Sequence, residues 1–138
     1  MAEFKIEIVK DQYIGGIKTF VSLNGISADK DEETVVLPET YLGEDITHLG
    51  YSQAYEPAHE EWADWHHPGK GMTHVPERYS SHMQPLDVSP WVKKIVISKT
   101  VRTLSYDYRM GLDHITFEVD PENPYLTVED GKVVPKRK

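Results

Sequence analysis

The chain has 138 residues, the usual size of one folding domain, and we interpret residues 1–138 as a single domain. Its 23 acidic residues exceed the 15 Lys and Arg residues, and the net charge of -8 disfavours nucleic acid and anionic lipid as partners, because both are negatively charged. The absence of cysteine excludes disulfides, thiolate nucleophiles and cysteine-ligated metal centres.

The N-terminal segment predicts a β-meander. Apolar residues alternate with charged ones over residues 4–8, which is typical of a half-buried strand. Gly15-Gly16 then precedes a second alternating run over residues 17–23. We expect Asn24-Gly25 to close this strand, because both residue types tolerate a positive φ.

The middle of the chain predicts three short, similar strands. A charged loop over residues 29–33 leads into Val35-Val36-Leu37, and Pro38 stops that strand. Ile95-Val96-Ile97 opens a second segment with a similar apolar pattern, so we infer an internal repeat. A third strand, residues 115–119, follows after about one leucine-rich-repeat period, roughly 20 residues, which predicts a stack of repeated units.

The C-terminal segment predicts a hairpin. Two apolar runs, residues 125–128 and Val133-Val134, flank Asp130-Gly131, and Asp-Gly between apolar strands is a strong hairpin signal. A repeat stack buries each unit only against its neighbours, so its ends need covering. We therefore expect this hairpin to cap the stack.

Three stretches of the chain resemble BspA-like bacterial leucine-rich-repeat proteins. Residues 35–50 resemble that family's "IP-x-x-hydrophobic-x-G-x-x-V-x-x-IG" unit, and residues 95–105 resemble its "I-x-IP-x-x-V-x-x-IG" repeat, with Ser98 and Ser105 in place of the usual Pro and Gly. Residues 119–134 are similar to the terminal "V-x-x-x-NP-x-Y-x-x-x-x-DG-x-L" segment. The resemblance implies a β-lined solenoid used in adhesion or protein recognition, and it supplies no catalytic residues.

Residues 51–90 lie outside this resemblance and form a long insertion rich in histidine and acidic residues. Pro57 suits the first position of a helix, Glu60 and Glu61 suit its N-terminal turn, and Pro68-Gly69 ends the run. We therefore predict a short helix over residues 57–66. The expected fold is mainly β, of the β-rich α+β class, with a leucine-rich-repeat-like stack, an N-terminal meander, a C-terminal hairpin and this one helix.

Metal binding is one hypothesis for the insertion. On the predicted helix, Glu60, Asp64 and His67 would share a face, and His66 is adjacent, so these four side chains could bind a divalent transition metal, with His74 as a further ligand. The competing interpretation is a solvated acidic face with histidines in a loop. No His-Glu-x-x-His, phosphate-loop or Gly-x-Ser-x-Gly pattern occurs in the chain.

Aromatic residues of the insertion favour protein recognition, because tyrosine and tryptophan are common interface anchors as well as core residues. We choose Tyr55, Trp62, Asp64 and Trp65 as the partner-binding residues. The competing interpretation is that most of the aromatic residues pin the insertion onto the stack.

The leading functional hypothesis is a non-catalytic protein-recognition module with a basic partner of unknown identity and no cofactor. One alternative is a metal-binding protein or metal-dependent enzyme, and another is a small acidic intracellular neutraliser of a toxin or enzyme. Self-assembly through open strand edges is a further alternative. Mean hydropathy is -0.54 and no apolar run resembles a membrane span or signal core, so a complete chain would be cytoplasmic, whereas an excised domain would be secreted or displayed on a cell surface.

Overall fold

The computed structural model describes residues 2–62 and 71–136, and within these ranges every regular element is a β-strand. The mainly β class is therefore confirmed. The strands are β1 Glu3–Tyr13, β2 Gly16–Ser27, β3 Thr34–Val36, β4 Thr40–Tyr41, β5 Glu44–Leu49, β6 Tyr51–Glu56, β7 His59–Trp62, β8 Met72–Val75, β9 Arg78–Met83, β10 Asp87–Val88, β11 Lys94–Ile97, β12 Thr103–Leu104, β13 Thr116–Val119, β14 Leu126–Glu129 and β15 Lys132–Pro135.

The predicted N-terminal meander is an antiparallel hairpin of β1 and β2, which turns at Gly15, where φ is 110°. The predicted stop at Asn24-Gly25 is wrong. Strand β2 continues to Ser27, because its last residues pair with both β1 and β10. At Gly25 a Cβ would lie 3.2 Å from the carbonyl oxygen of Asp87, so glycine permits close strand approach here rather than a turn.

The three similar strands of the sequence form one parallel sheet in the order β13, β11, β3. Val35, Ile95 and Phe117 are register partners across it, and all three are buried in the main hydrophobic cluster. Alternate residues such as Val36 and Glu118 are exposed. The alternation in the sequence thus separates a core face from a solvent face.

The two segments with the repeated sequence pattern also lie side by side at their second strands. Strand β12 pairs in parallel with β5, and β5 pairs in parallel with β2, so that Leu49 is the register partner of both Leu104 and Leu23. Between the two segments, the hydroxyl oxygen of Thr100 lies 2.9 Å from the carbonyl oxygens of both Glu39 and Ile46 and shares its one proton between them.

The C-terminal hairpin is confirmed. Strands β14 and β15 are antiparallel and join at Asp130-Gly131, where both residues have positive φ. Asn123, which is fully buried before β14, donates from Nδ2 to the carbonyls of Ser98 and Val101 at 3.0 and 2.9 Å. This side chain attaches the hairpin to the segment of β11.

The insertion contains two antiparallel strand pairs, β6 with β9 and β7 with β8, which we call the ribbon (residues 51–62 and 71–83). The predicted helix over residues 57–66 is wrong for its described part, because His59–Trp62 is strand β7. Pairing with β8 satisfies the backbone groups there, and the segment lacks an apolar stripe of helical period. In the described part of the chain, no helix is long and apolar enough to span a membrane.

Candidate functional site

The ribbon is held along the edge of β1 by polar contacts. The backbone N–H of Lys10 donates to Gln53 Oε1 at 2.7 Å, and Gln53 Nε2 donates to the carbonyl of Lys10 at 2.9 Å. Glu7 accepts hydrogen bonds from the hydroxyl of Ser52 and the backbone N–H of Gln53. The hydroxyl of Ser81 donates to Asp11, which ties β9 to the same strand. These contacts fix the ribbon's position on β1.

The first residue of the ribbon belongs to a small aromatic cluster. The rings of Phe20 and His48 stack with centroids 3.9 Å apart, and Tyr51 meets both rings edge-on. Burial, together with the nearby cations Lys18 and Arg102, lowers the pKa of His48 to about 4. His48 is therefore neutral at physiological pH. Tyr51 packs against both rings, which agrees with the interpretation that aromatic residues attach the insertion to the rest of the fold.

Tyr55 behaves differently, because its side chain is 51% exposed. Its hydroxyl donates to Glu77 at 2.8 Å, and its ring lies 5.0 Å from the ring of its register partner Tyr79. The Tyr79 ring also contacts a cation, since Lys10 Nζ lies 5.4 Å from its centroid. The hydrogen bond to Glu77 raises the pKa of Tyr55. Tyr55 is thus exposed and also held in one orientation.

A groove of about 480 Å³ separates the ribbon from the tip of the first hairpin. Gln12, Tyr13 and Ile14 line it from the hairpin, and residues 75–78 line it from the ribbon. Tyr13 is 61% exposed and Ile14 is fully exposed. Because Glu77 both lines this groove and accepts the hydrogen bond from Tyr55, the exposed tip and the exposed tyrosine belong to one surface, which we call the recognition surface (residues 12–14, 55 and 75–79).

Acidic side chains dominate the charge of the ribbon. Its described residues include four glutamates (Glu56, Glu60, Glu61 and Glu77) and a single arginine, Arg78. Charged side chains in the described part of the ribbon are therefore predominantly acidic.

The histidines of the ribbon lie beside these carboxylates. His74 Nδ1 lies 2.9 Å from Glu60 Oε1 across the β7–β8 pair. His59 contacts the carbonyl of Pro57 and the carboxylate of Glu61, and these two hydrogen bonds raise its pKa. Protonation of His59 would partly neutralise the acidic ribbon.

The structure describes only part of each predicted residue set. Of the partner-binding residues, Tyr55 lies on the recognition surface, and the backbone of Trp62 pairs with Met72 at the end of β7. Asp64 and Trp65 lie outside the described residues. Of the metal-binding residues, Glu60 contacts His74, whereas Asp64, His66 and His67 lie outside the described residues. Within residues 2–62 and 71–136, no group of three or more potential ligands comes together.

The sequence interpretation missed the contribution of the first hairpin to this surface. Tyr13 and Ile14 directly precede the Gly15-Gly16 turn. Two large apolar residues therefore stand where polar or small residues are usual. That position was the available signal, since large apolar side chains at a loop tip expose area that a partner can bury. The role of Glu77 had no such signal, because it depends on the β6–β9 register.

No protein-family model, curated protein or solved structure matches this chain.

Proposed function

We propose that the protein is a non-catalytic recognition module, built on a short stack of BspA-like leucine-rich repeats, which binds a basic protein partner through the recognition surface. The observation that carries the proposal is the half-exposed Tyr55, whose hydroxyl and ring are both held in place by neighbours on the ribbon. A side chain that is fixed before binding loses less conformational entropy on binding, which favours affinity.

The strand arrangement supports the repeat-stack part of the proposal. The parallel pairing of β3, β11 and β13 aligns equivalent apolar residues of segments that resemble one another in sequence. Buried Asn123 supports it further, since this residue stands at the Asn-Pro position of the resemblance and accepts from the N–H groups of Tyr125 and Leu126 while donating to two carbonyls of the preceding unit. Such a stack provides a rigid base for an attached recognition element.

The charge of the ribbon supports the choice of partner. Opposite charge across an interface accelerates encounter and excludes partners of like charge. The apolar side of the surface, at Tyr13 and Ile14, would supply the buried contact area, and Glu77, which lines the groove beside Arg78, would supply a carboxylate at its edge.

The experiment is photocrosslinking from position 55. A photoreactive phenylalanine analogue replaces Tyr55 in one variant and Tyr106, which is 94% exposed and lies outside the ribbon, in the control variant. We expect one basic protein to crosslink from position 55 and not from position 106. Equal labelling from both positions, or crosslinking only to acidic proteins, would contradict the proposal.

Metal binding by the ribbon is a second candidate function. The observation that favours it is the 2.9 Å approach of Glu60 Oε1 to His74 Nδ1, which places a carboxylate and an imidazole on opposite strands at one point. Metal analysis and thermal unfolding with zinc, manganese and chelator test it. A stoichiometric metal whose stabilisation disappears in His74→Ala would support this candidate, and an unchanged melting temperature with no bound metal would exclude it.

A further inference from the structure

The outer edge of β13 is unpaired in the described part of the chain. Strand β13 ends the three-stranded parallel sheet and pairs only with β11. The N–H groups of Thr116 and Asp120 donate to carbonyls of the β11 segment at 2.8 and 2.9 Å. Since successive residues of a strand direct their backbone groups to opposite sides, the N–H and C=O groups of Phe117 and Val119 point away from β11.

No described residue forms a hydrogen bond with those backbone groups of Phe117 and Val119. Unpaired N–H and C=O groups along a strand edge are a template for another extended chain. The opposite edge of the sheet, β3, is also an end strand, but the two edges differ in their surroundings.

A groove of about 620 Å³ lies beside β13 and is closed on its far side by the C-terminal hairpin. Leu126 and Val128 line the hairpin side. Glu118 and Asp120 line the β13 side, and Lys136 is the one cation among the described lining residues. The volume is within the range of pockets that hold small ligands or short peptide segments.

We propose that this groove binds an extended peptide, which adds to β13 as a fourth strand and carries apolar side chains that alternate with basic ones. The site lies on a different part of the molecule from the recognition surface, and the inference does not depend on the proposed function. Backbone hydrogen bonds to Phe117 and Val119 would supply affinity, as in other complexes formed by strand addition.

The alternation follows from the two faces of β13. The side chains of Phe117 and Val119 lie on one face and that of Glu118 lies on the other, where it pairs with Lys94 at 3.0 Å between exposed side chains. Side chains of an added strand alternate in the same way, so every second one would contact the apolar face near Leu126 and the others would approach Glu118. An exposed ion pair such as that of Glu118 and Lys94 is weak and would yield to a lysine of the peptide.

The test uses the peptide acetyl-Val-Lys-Val-Lys-Val-amide and amide hydrogen exchange of the unaltered protein. At a peptide concentration ten times the dissociation constant, the exchange of the Phe117 and Val119 amides should slow by about tenfold. In antiparallel addition the valines lie opposite Phe117 and Val119, so a peptide with N-methylated valines lacks donors for the strand edge and should bind at least about tenfold more weakly. The acidic peptide acetyl-Val-Glu-Val-Glu-Val-amide should also bind more weakly.

A matched pair of proline variants locates the site. Val119→Pro removes an N–H that points into the groove, and Val36→Pro removes an N–H that points away from β11 on the opposite edge of the same sheet. Val119→Pro should weaken binding by at least about tenfold, and Val36→Pro should leave it unchanged. If Val119→Pro does not fold, hydrogen exchange in the unaltered protein still decides.

Three results would overturn the inference: unchanged exchange at Phe117 and Val119 with saturating peptide, equal effects of the two proline variants, or equal affinity for the lysine and glutamate peptides. Retention of peptide binding in Tyr55→Ala is expected, and it separates this site from the recognition surface.

Discussion

Gln53 binds the backbone of Lys10 as a neighbouring strand would. Its side-chain oxygen accepts from the Lys10 N–H at 2.7 Å, and its side-chain nitrogen donates to the Lys10 carbonyl at 2.9 Å. One amide side chain thus satisfies both backbone groups of a residue at the edge of β1. The attachment of the ribbon therefore depends strongly on this glutamine.

Gln53→Ala should loosen the ribbon without unfolding the core. We expect the free energy of local opening to fall by about 1–2 kcal/mol, because the Lys10 backbone groups lose their partner. Hydrogen exchange at the Lys10 amide measures the effect. Gln53→Glu keeps the acceptor for the Lys10 N–H but places a carboxylate oxygen against the carbonyls that Nε2 binds, so it should also loosen the ribbon. Unchanged exchange at Lys10 in Gln53→Ala would contradict this attachment.

Burial of His48 should make stability depend on pH. Its pKa falls from 6.5 to about 4 on folding, so the neutral ring contributes stability that is fully present above pH 6.5. As the pH falls from 6.5 towards 4, the unfolded chain takes up a proton that the folded chain does not, and the contribution is lost. We expect a loss of about 1–3 kcal/mol over this range.

Urea unfolding at pH 7 and pH 4.5 measures the pH dependence. His48→Phe keeps a ring beside Phe20 and removes the titration, so the variant should lose less stability between these two pH values. His114→Phe, at an exposed histidine, is the control and should leave the difference unchanged. A His48→Phe variant with the full pH dependence would show that other groups cause it.

Gly50 joins β5 to the ribbon, and alanine should be poorly tolerated there. An added Cβ would meet the carbonyl oxygen of Gln84 at 2.6 Å and the side chain of Ser105, at a φ of 81°. Gly43 has a similar φ of 83° with nothing within 4 Å of an added Cβ, so it isolates the backbone strain. We expect Gly43→Ala to cost about 1–2 kcal/mol and Gly50→Ala to cost at least about 3 kcal/mol. Equal losses in thermal unfolding would show that steric contact at Gly50 is unimportant.

Asn123 should be among the most sensitive polar residues of the fold. Its buried side chain makes four hydrogen bonds, two as donor and two as acceptor. Asn123→Ala leaves buried backbone groups unsatisfied, and we expect a loss of about 3–5 kcal/mol in the free energy of unfolding. Alanine at the exposed neighbour Glu122 is the control and should cost less than about 0.5 kcal/mol. A small loss in Asn123→Ala would mean that water replaces the amide.

Local sequence was sufficient for the strands that alternate or flank a strong turn. The parallel strands around Val35, Ile95 and Phe117, and the hairpin at Asp130-Gly131, carry their own patterns of burial or turn chemistry. Asn24 was misleading for the opposite reason. Its residue type favours turns, but its amide is buried and binds the carbonyl of Tyr51, a partner 27 residues away.

The ribbon shows why the candidate site was only partly predictable. Pro57, Glu60 and Glu61 satisfy local rules for a helix start, yet strand β7 forms because β8, which lies beyond the reach of these local rules, supplies its backbone partners. Tyr55 could be chosen by residue type. Its pairing with Tyr79 and Glu77, and its proximity to the hairpin tip, depend on register and packing that no local pattern contains.

The most direct test of the central claim is the affinity of the crosslinked partner for two matched variants, Tyr55→Ala and Tyr106→Ala, measured by calorimetry on folded protein. Both residues are exposed tyrosines, and only Tyr55 lies on the recognition surface. Tyr55→Ala should raise Kd by at least about tenfold, the effect of losing an interface anchor, while Tyr106→Ala leaves it unchanged. An unchanged Kd for Tyr55→Ala, or an equal rise in both variants, would contradict recognition through this surface.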